Sequence, residues 1–128
     1  MVELVALVTS LALLQTFVFA FQVGQARVKY GVKAPETSGK DKFERIFRVH
    51  QNTVEQLVIF LPALWMFAYF VRADVAAGLG LIFIIGRQVY RSEYLNDPAS
   101  RSPGFGIGAA VTSILILGSL IGALLDAL

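Results

Sequence analysis

Long segments without any charged residue are the feature that most restricts how this chain can fold. Residues 4–26 form an uncharged run of 23, and residues 102–125 form another of 24. A helix of about 20 apolar residues is long enough to cross the hydrocarbon core of a membrane. Two shorter uncharged runs lie between them, at 56–71 and 75–86. We therefore expect an all-α integral membrane protein.

The composition agrees with a membrane protein and excludes several other classes. The chain is 56% hydrophobic and only 16% charged, whereas soluble domains are about one quarter charged. Its mean hydropathy of +0.68 excludes a disordered protein. The absence of cysteine excludes thiolate metal sites and a cysteine nucleophile. A net charge of +2 is too small to indicate a nucleic-acid partner, and we expect none.

Polar connections divide the chain into four helices of a single domain, residues 1–128. A loop containing Pro35 follows the first uncharged run, a very short turn lies at 72–74, and a connection with two prolines lies at 96–103. Pro62 predicts a kink within the second helix. The predicted four-helix bundle has helices at about 3–30, 42–71, 74–95 and 103–126.

Two of the predicted helices begin with recognisable capping signals. Asp41, followed three residues later by Glu44, resembles a capping box at the start of the second helix. Ser102 before Pro103 suits an N-cap residue followed by proline at the first helical position.

Basic residues are concentrated at one end of the predicted bundle. Ten of the 11 Lys and Arg residues lie at or near the first and third connections, and only Arg72 lies at the second. Positively charged loops of membrane proteins are usually cytoplasmic. The distribution therefore predicts that loops one and three are cytoplasmic and that both termini lie on the opposite side.

Polar side chains recur at helical spacing within the second and third helices. Each set falls on one helix face, within an arc of roughly 80° to 100° at about 100° per residue. Because charges within a membrane are costly, such faces are expected to meet each other, a cavity or a ligand. The stripe on helix two consists of Arg45, Arg48, Asn52 and Glu55, and that on helix three of Arg87, Tyr90, Arg91 and Tyr94.

Two structural interpretations of these stripes compete with a binding site. Arg48 and Glu55, which share one face, could form an internal salt bridge, and Arg87 and Arg91 could extend to lipid headgroups. An excess of arginine over acidic residues, with tyrosines on the same face, favours an anionic ligand instead. His50 is the only histidine, so we expect no metal site.

A pair of glycines in the fourth helix has two interpretations. Gly118 and Gly122 have the small-xxx-small spacing of helix-packing motifs in membranes. Small residues are also simply common in membrane helices, and the sequence does not separate these two interpretations.

A longer motif links the chain to a known family. Residues 43–55 read Phe-Glu-Arg-Ile-Phe-Arg-Val-His-Gln-Asn-Thr-Val-Glu, which resembles the helix-two signature of the MAPEG family, membrane-associated proteins of eicosanoid and glutathione metabolism. The similarity continues through residues 86–94, through Arg101 and through residues 21–27. It covers nearly the whole chain.

The resemblance implies a homotrimer that binds glutathione between adjacent subunits near the cytoplasmic side. It implies that Arg101 activates the glutathione thiol. His50 matches a glutamine that contacts glutathione in a close relative. Arg87 is added as a candidate because it belongs to the polar stripe on helix three. The expected glutathione-binding residues are Arg27, Arg48, His50, Asn52, Glu55, Arg87, Tyr90 and Tyr94.

The expected function is that of a glutathione transferase acting on a lipophilic electrophile that arrives from the membrane lipid. Reduction of a hydroperoxide, as a glutathione-dependent peroxidase, is a second expected activity. Val28 and Gln56 differ from the residues of leukotriene-forming members, which favours a general transferase.

Two other functions stay open at this point. One is a non-catalytic glutathione-binding or scaffold member of the family, although the presence of Arg101 and both tyrosines disfavours it. The other is a small four-helix multidrug transporter. That class needs a membrane-buried carboxylate in its first helix, where only Glu3 occurs, at the very end.

Overall fold

A computed structural model describes all residues from Met1 to Leu128, and all of its regular secondary structure is helical. Each of the four long helices is long and apolar enough to cross a membrane. The prediction of an all-α chain with four candidate membrane spans is confirmed. The helices are α1, Val2–Tyr30; α2, Asp41–Phe70; α3, Ala73–Asn96; and α4, Ser102–Ala127.

The observed helix ends differ from the predicted ends by no more than one residue. A short 3-10 turn, Pro98–Ser100, lies between α3 and α4 and was not predicted. α2 continues through Pro62 to Phe70 without interruption.

Neither predicted cap forms as expected. The N-cap of α2 is Lys40, because Asp41 already lies in the helix and pairs with Arg45 at 3.0 Å. Glu44 does fold back, but it accepts a hydrogen bond from the backbone N–H of Gly39 at 3.3 Å. α4 begins one residue early, so its N-cap is Arg101 rather than Ser102.

The helices α2 and α3 form the centre of the bundle. α1 packs against both of them on one side, and α4 packs against both on the other. Phe60 of α2 and Phe83 of α3 stack with their ring centroids 3.8 Å apart. α1 approaches this layer closely at Gly80, where a Cβ atom would lie 2.5 Å from Val8 Cγ1. The middle of the bundle is therefore a well-packed apolar core.

The two glycines in the second half of α4 pack against α2 of the same chain. A Cβ atom at Gly118 would lie 2.4 Å from the ring of Phe67, and one at Gly122 would lie 2.9 Å from the carbonyl oxygen of Phe70. Real Cβ atoms do not approach other atoms so closely. The packing interpretation of the Gly118–Gly122 motif is confirmed, as a contact within one subunit.

Candidate functional site

A polar cavity opens where the polar stripes of α2 and α3 meet the beginning of α4. Its volume is about 460 Å³. It lies at the end of the bundle that carries the first and third connections. The lining residues are Arg48, Asn52, Tyr90, Tyr94, Arg101, Ser102 and Phe105.

The 3.6-residue periodicity of the helices explains why four of these side chains meet. Arg48 and Asn52 are four residues apart on α2, and Tyr90 and Tyr94 are four residues apart on α3, so each pair shares one helix face. The tyrosine rings stack with their centroids 5.6 Å apart. These four members of the stripes therefore face the same space, whereas Arg45, Glu55, Arg87 and Arg91 do not line it.

Arg87 lies behind the wall of the cavity and supports it. Its Nη2 donates hydrogen bonds to Asn52 Oδ1 at 2.7 Å and to Thr53 Oγ1 at 3.0 Å. The guanidinium carbon lies 4.3 Å from the centroid of the Tyr90 ring. Only 1% of Arg87 is exposed, its Nε has no hydrogen-bond partner, and no carboxylate pairs with it. The chain therefore leaves this buried positive charge without a counterion.

The third wall of the cavity is the beginning of α4, which is attached closely to α3. The backbone N–H of Gly104 donates to Glu93 Oε1 at 2.9 Å. A Cβ atom at position 104 would lie only 2.4 Å from the backbone nitrogen of Tyr90. Only glycine permits this approach, which holds Phe105 at 6.3 Å from the Tyr90 ring, measured between centroids.

Arg101 lies at the rim of the cavity on the connection between α3 and α4. Its Nη1 donates to the carbonyl oxygen of Pro98 at 2.7 Å, and its side chain is exposed. The connection is tied to α3, because Ser100 Oγ donates to the carbonyl oxygens of Glu93 and Asp97. These bonds hold the backbone of Arg101 beside the cavity.

Besides Arg87, three of the expected glutathione-binding residues do not line the cavity of a single subunit. Arg27 donates to the carbonyl oxygen of Glu36 at 2.7 Å and lies over the ring of Phe43, so it stabilises the first loop. His50 is half-buried on α2, and Glu55 is exposed. Glu55 forms no ion pair, so the internal salt bridge with Arg48 that the sequence allowed is not present.

The two remaining arginines of the stripes have local partners. Arg45 donates to the carbonyl oxygens of Leu95 and Asn96 at the end of α3, in addition to its ion pair with Asp41. Arg91 donates from Nε to Gln22 Oε1 of α1 at 2.9 Å. They therefore lie on the other side of the helices from the cavity.

Sequence reasoning missed Ser102 and Phe105 as lining residues. The sequence predicts Ser102 to be a helix cap, and its position directly after Arg101 is the one signal that it could line the cavity. Phe105 carried no signal, because it is one of 10 phenylalanines in the chain. Its role depends on the close approach of Gly104 to α3.

The electrostatics of the cavity favour an anion. Arg48 and Arg101 line it, Arg87 lies directly behind it, and none of its lining residues is acidic. Arg48 donates no hydrogen bond and forms no ion pair within the chain, so its guanidinium group is free to pair with a carboxylate. The tyrosine hydroxyls, Asn52 and Ser102 add uncharged donors.

The chain matches one protein family over most of its length. The model of the MAPEG family matches residues 5–121. This range includes all the residues that line the cavity.

Similar proteins occur in bacteria and in mammals. The uncharacterised protein sll1147 of Synechocystis is 43% identical over 93% of this chain and 87% of its own length. Human microsomal glutathione S-transferase 2 is 40% identical over 94% of this chain and 80% of its own length. Bovine leukotriene C4 synthase is 33% identical over 93% of this chain and 80% of its own length.

Proposed function

The chain belongs to the MAPEG family, and on that premise we propose that it is a membrane-bound glutathione transferase that conjugates lipophilic electrophiles. The names of two relatives, microsomal glutathione S-transferase 2 and leukotriene C4 synthase, support glutathione-related transferase chemistry in general. The observation that carries the proposal for this chain is a cavity lined by two arginines, with the buried Arg87 behind its wall and no acidic lining residue.

The charge of glutathione complements that cavity. The tripeptide carries two carboxylates and one ammonium group, and it gains a further negative charge when its thiol ionises. Arg48 suits one carboxylate through a bidentate, charge-assisted pair. Asn52, held in place by Arg87, suits a backbone amide of the tripeptide. Arg87 contributes its buried positive charge from behind the wall.

Activation of the thiol is assigned to Arg101. A free thiol has a pKa of about 8.5 and is mostly protonated at neutral pH. A guanidinium beside the sulfur favours the thiolate, and each unit by which the thiol pKa falls corresponds to about 1.4 kcal/mol. The proton leaves to solvent, and the thiolate sulfur then forms a bond to the electrophilic carbon of the second substrate. The bond that breaks at this carbon releases its electron pair to the displaced or ring-opened group, which leaves as an anion or takes a proton from water. Tyr90 and Tyr94 line the same cavity and would donate hydroxyl hydrogen bonds to the thiolate.

A trimer would give the remaining expected residues a role. Arg27, His50 and Glu55 do not line the cavity of a single subunit. We propose that a neighbouring subunit covers the open side of the cavity, and that Arg27 and His50 contact glutathione from there. Glu55 would pair with the ammonium group of the tripeptide.

The second substrate is expected to be a general lipid-soluble electrophile rather than a leukotriene precursor. Val28, which replaces a basic residue of leukotriene-forming members, is 87% exposed and offers no charge to a fatty-acid carboxylate. Reduction of a lipid hydroperoxide by the same thiolate is a further proposed activity.

The proposed orientation directs the cavity to the cytoplasm. It follows from the ten basic residues at the end that carries loops one and three. Because the chain has no cysteine, single-cysteine variants can test it. A membrane-impermeant maleimide should label Lys33→Cys only after cells are opened, and Ala73→Cys in intact cells.

The first experiment is a glutathione titration of the detergent-purified protein that follows the ultraviolet absorbance of the thiolate. We expect a saturable signal at neutral pH, and we expect Arg101→Ala to abolish it while glutathione still binds. Lys33→Ala, which removes a cation outside the cavity, should leave the signal unchanged. Binding without a thiolate signal in the unaltered protein would favour a non-catalytic member, and no binding at all would refute the proposal.

A further inference from the structure

A second groove lies between α1 and α3 and shares no residue with the cavity described above. One part of it has a volume of about 320 Å³ and a mostly apolar lining that includes Leu11, Leu14, Val18 and Ile84. The other part has a volume of about 250 Å³ and lies at the C-terminal ends of these helices. Gln22 lines both parts, so the two adjoin at this residue, and we treat them together as one groove along α1.

The two parts differ in charge. Lys29 and Arg91 line the part near the helix ends, and no acidic residue lines either part. Arg91 uses only its Nε, in the bond to Gln22, so its terminal nitrogens are free to donate. Lys29 forms no ion pair. An apolar groove with two available cations at one end complements the shape and charge of an amphiphile that has an anionic head group.

Polar groups along the apolar part strengthen this interpretation. Gln15 donates to the carbonyl oxygen of Ile84 at 3.0 Å and to Gln88 Oε1 at 3.3 Å. The amide nitrogen of Gln88 donates no hydrogen bond within the chain. A free donor beside lipid is costly, and an ester carbonyl in the groove would accept from it.

The length of the groove matches one leaflet of a bilayer. From Leu11 to Gln22 the α1 axis advances about 16 Å at the rise of an α-helix. Half of a hydrocarbon core about 30 Å thick is nearly the same distance. One extended acyl chain would therefore fill the apolar part when its head lies between the two cations.

We propose that this groove is a binding site for an anionic phospholipid of the surrounding membrane. The phosphate lies between Lys29 and Arg91, and one acyl chain lies along Leu14, Val18 and Ile84. The site uses no residue of the glutathione cavity, so it stands or fails independently of the proposed transferase activity.

The test is native mass spectrometry of the full chain, purified in a neutral detergent and mixed with dioleoyl phosphatidylglycerol or dioleoyl phosphatidylcholine. We expect phosphatidylglycerol to bind at least about fivefold better, and Arg91→Gln to lower its affinity by about fivefold. Arg91→Lys should keep most of the affinity because it keeps the charge. Lys33→Gln is the matched control, with the same loss of charge outside the groove, and should bind like the unaltered chain.

A further variant separates the groove from general charge attraction. Val18→Trp fills the apolar part without changing any charge, and we expect it to reduce phosphatidylglycerol binding as strongly as Arg91→Gln. Equal binding of the two lipids would overturn the proposal, as would equal losses in Lys33→Gln and Arg91→Gln. Disulfide-linked dimers of Val18→Cys in native membranes would also overturn it, because a second copy would then cover the groove.

Discussion

Arg87 and Asn52 form the best-defined polar contact of the candidate site, a 2.7 Å hydrogen bond from a buried guanidinium to the side-chain oxygen of a cavity residue. The bond fixes which end of the Asn52 amide faces the cavity. Its oxygen is occupied by Arg87, so its nitrogen is directed to the ligand as a donor. A residue that does not line the cavity thus determines the hydrogen-bonding character of one that does.

Replacing Arg87 by Met should therefore weaken glutathione binding without unfolding the protein. Burial of an unpaired charge opposes folding, so an apolar side chain of similar length removes that cost, which offsets the loss of the two hydrogen bonds to Asn52 and Thr53. We expect the Kd for glutathione to rise by about tenfold, with a smaller effect on kcat. Calorimetric titration and the Tm in detergent measure the two effects. Thr53→Val removes the other acceptor of Arg87, and its effect on binding should be smaller.

Arg48→Ala should weaken glutathione binding more than any other single change in the cavity. Its guanidinium group has no partner in the chain, so it is fully available to a carboxylate. The loss of a charge-assisted contact predicts a Kd raised by about tenfold to a hundredfold. Arg72→Ala removes a cation at the opposite end of the bundle, and a comparable loss in that variant would contradict this assignment.

Two glycines in the first turns of α4 should respond differently to the same substitution. Gly104→Ala places a Cβ atom against the backbone of Tyr90, so α4 must move away from α3. We expect a loss of about 1–3 kcal/mol in stability, seen as a lower Tm, together with reduced turnover. Gly106 has no atom within 4 Å of an added Cβ, and Gly106→Ala should keep or slightly raise the Tm.

The hydrogen bond between Trp65 Nε1 and Thr9 Oγ1 joins α1 to α2 at 3.0 Å, on the half of the bundle away from the cavity. Thr9→Val should lower stability by about 1 kcal/mol and shift the emission of the single tryptophan. Thr16→Val is a matched control, because Thr16 Oγ1 donates only to Ala12 of its own helix. An unchanged emission maximum in Thr9→Val would show that the bond does not form.

The helices and two walls of the cavity could be predicted from sequence because both depend on local regularities. Charged residues cluster at the connections, so the uncharged runs mark the spans. A spacing of four residues brings Arg48 beside Asn52, and Tyr90 beside Tyr94, whatever the rest of the chain does. These features need only the geometry of one helix.

The remaining features depend on contacts between distant segments. Within one chain, Arg27 and Arg45 donate to backbone carbonyl oxygens at Glu36 and at Leu95, contacts that the spacing within a single helix does not predict. Which backbone carbonyl oxygens lack another hydrogen-bond donor depends on the conformation of the loops and on where each helix ends. Glu55 lies on the same face of α2 as Arg48, but the two form no ion pair and Glu55 is exposed.

The way in which the connection between α3 and α4 is anchored has a consequence for the kinetics of the proposed enzyme. Ser100 and Gly104 are both tied to Glu93, so the backbone on each side of Arg101 is fixed to the end of α3. Only the side chain of Arg101 needs to turn from the carbonyl of Pro98 toward a bound sulfur. Side-chain rotations of exposed residues take picoseconds to nanoseconds, whereas loop closures that limit many enzymes take microseconds to milliseconds. The movement of Arg101 toward the sulfur would then not limit turnover, and a slow step would lie elsewhere in the reaction.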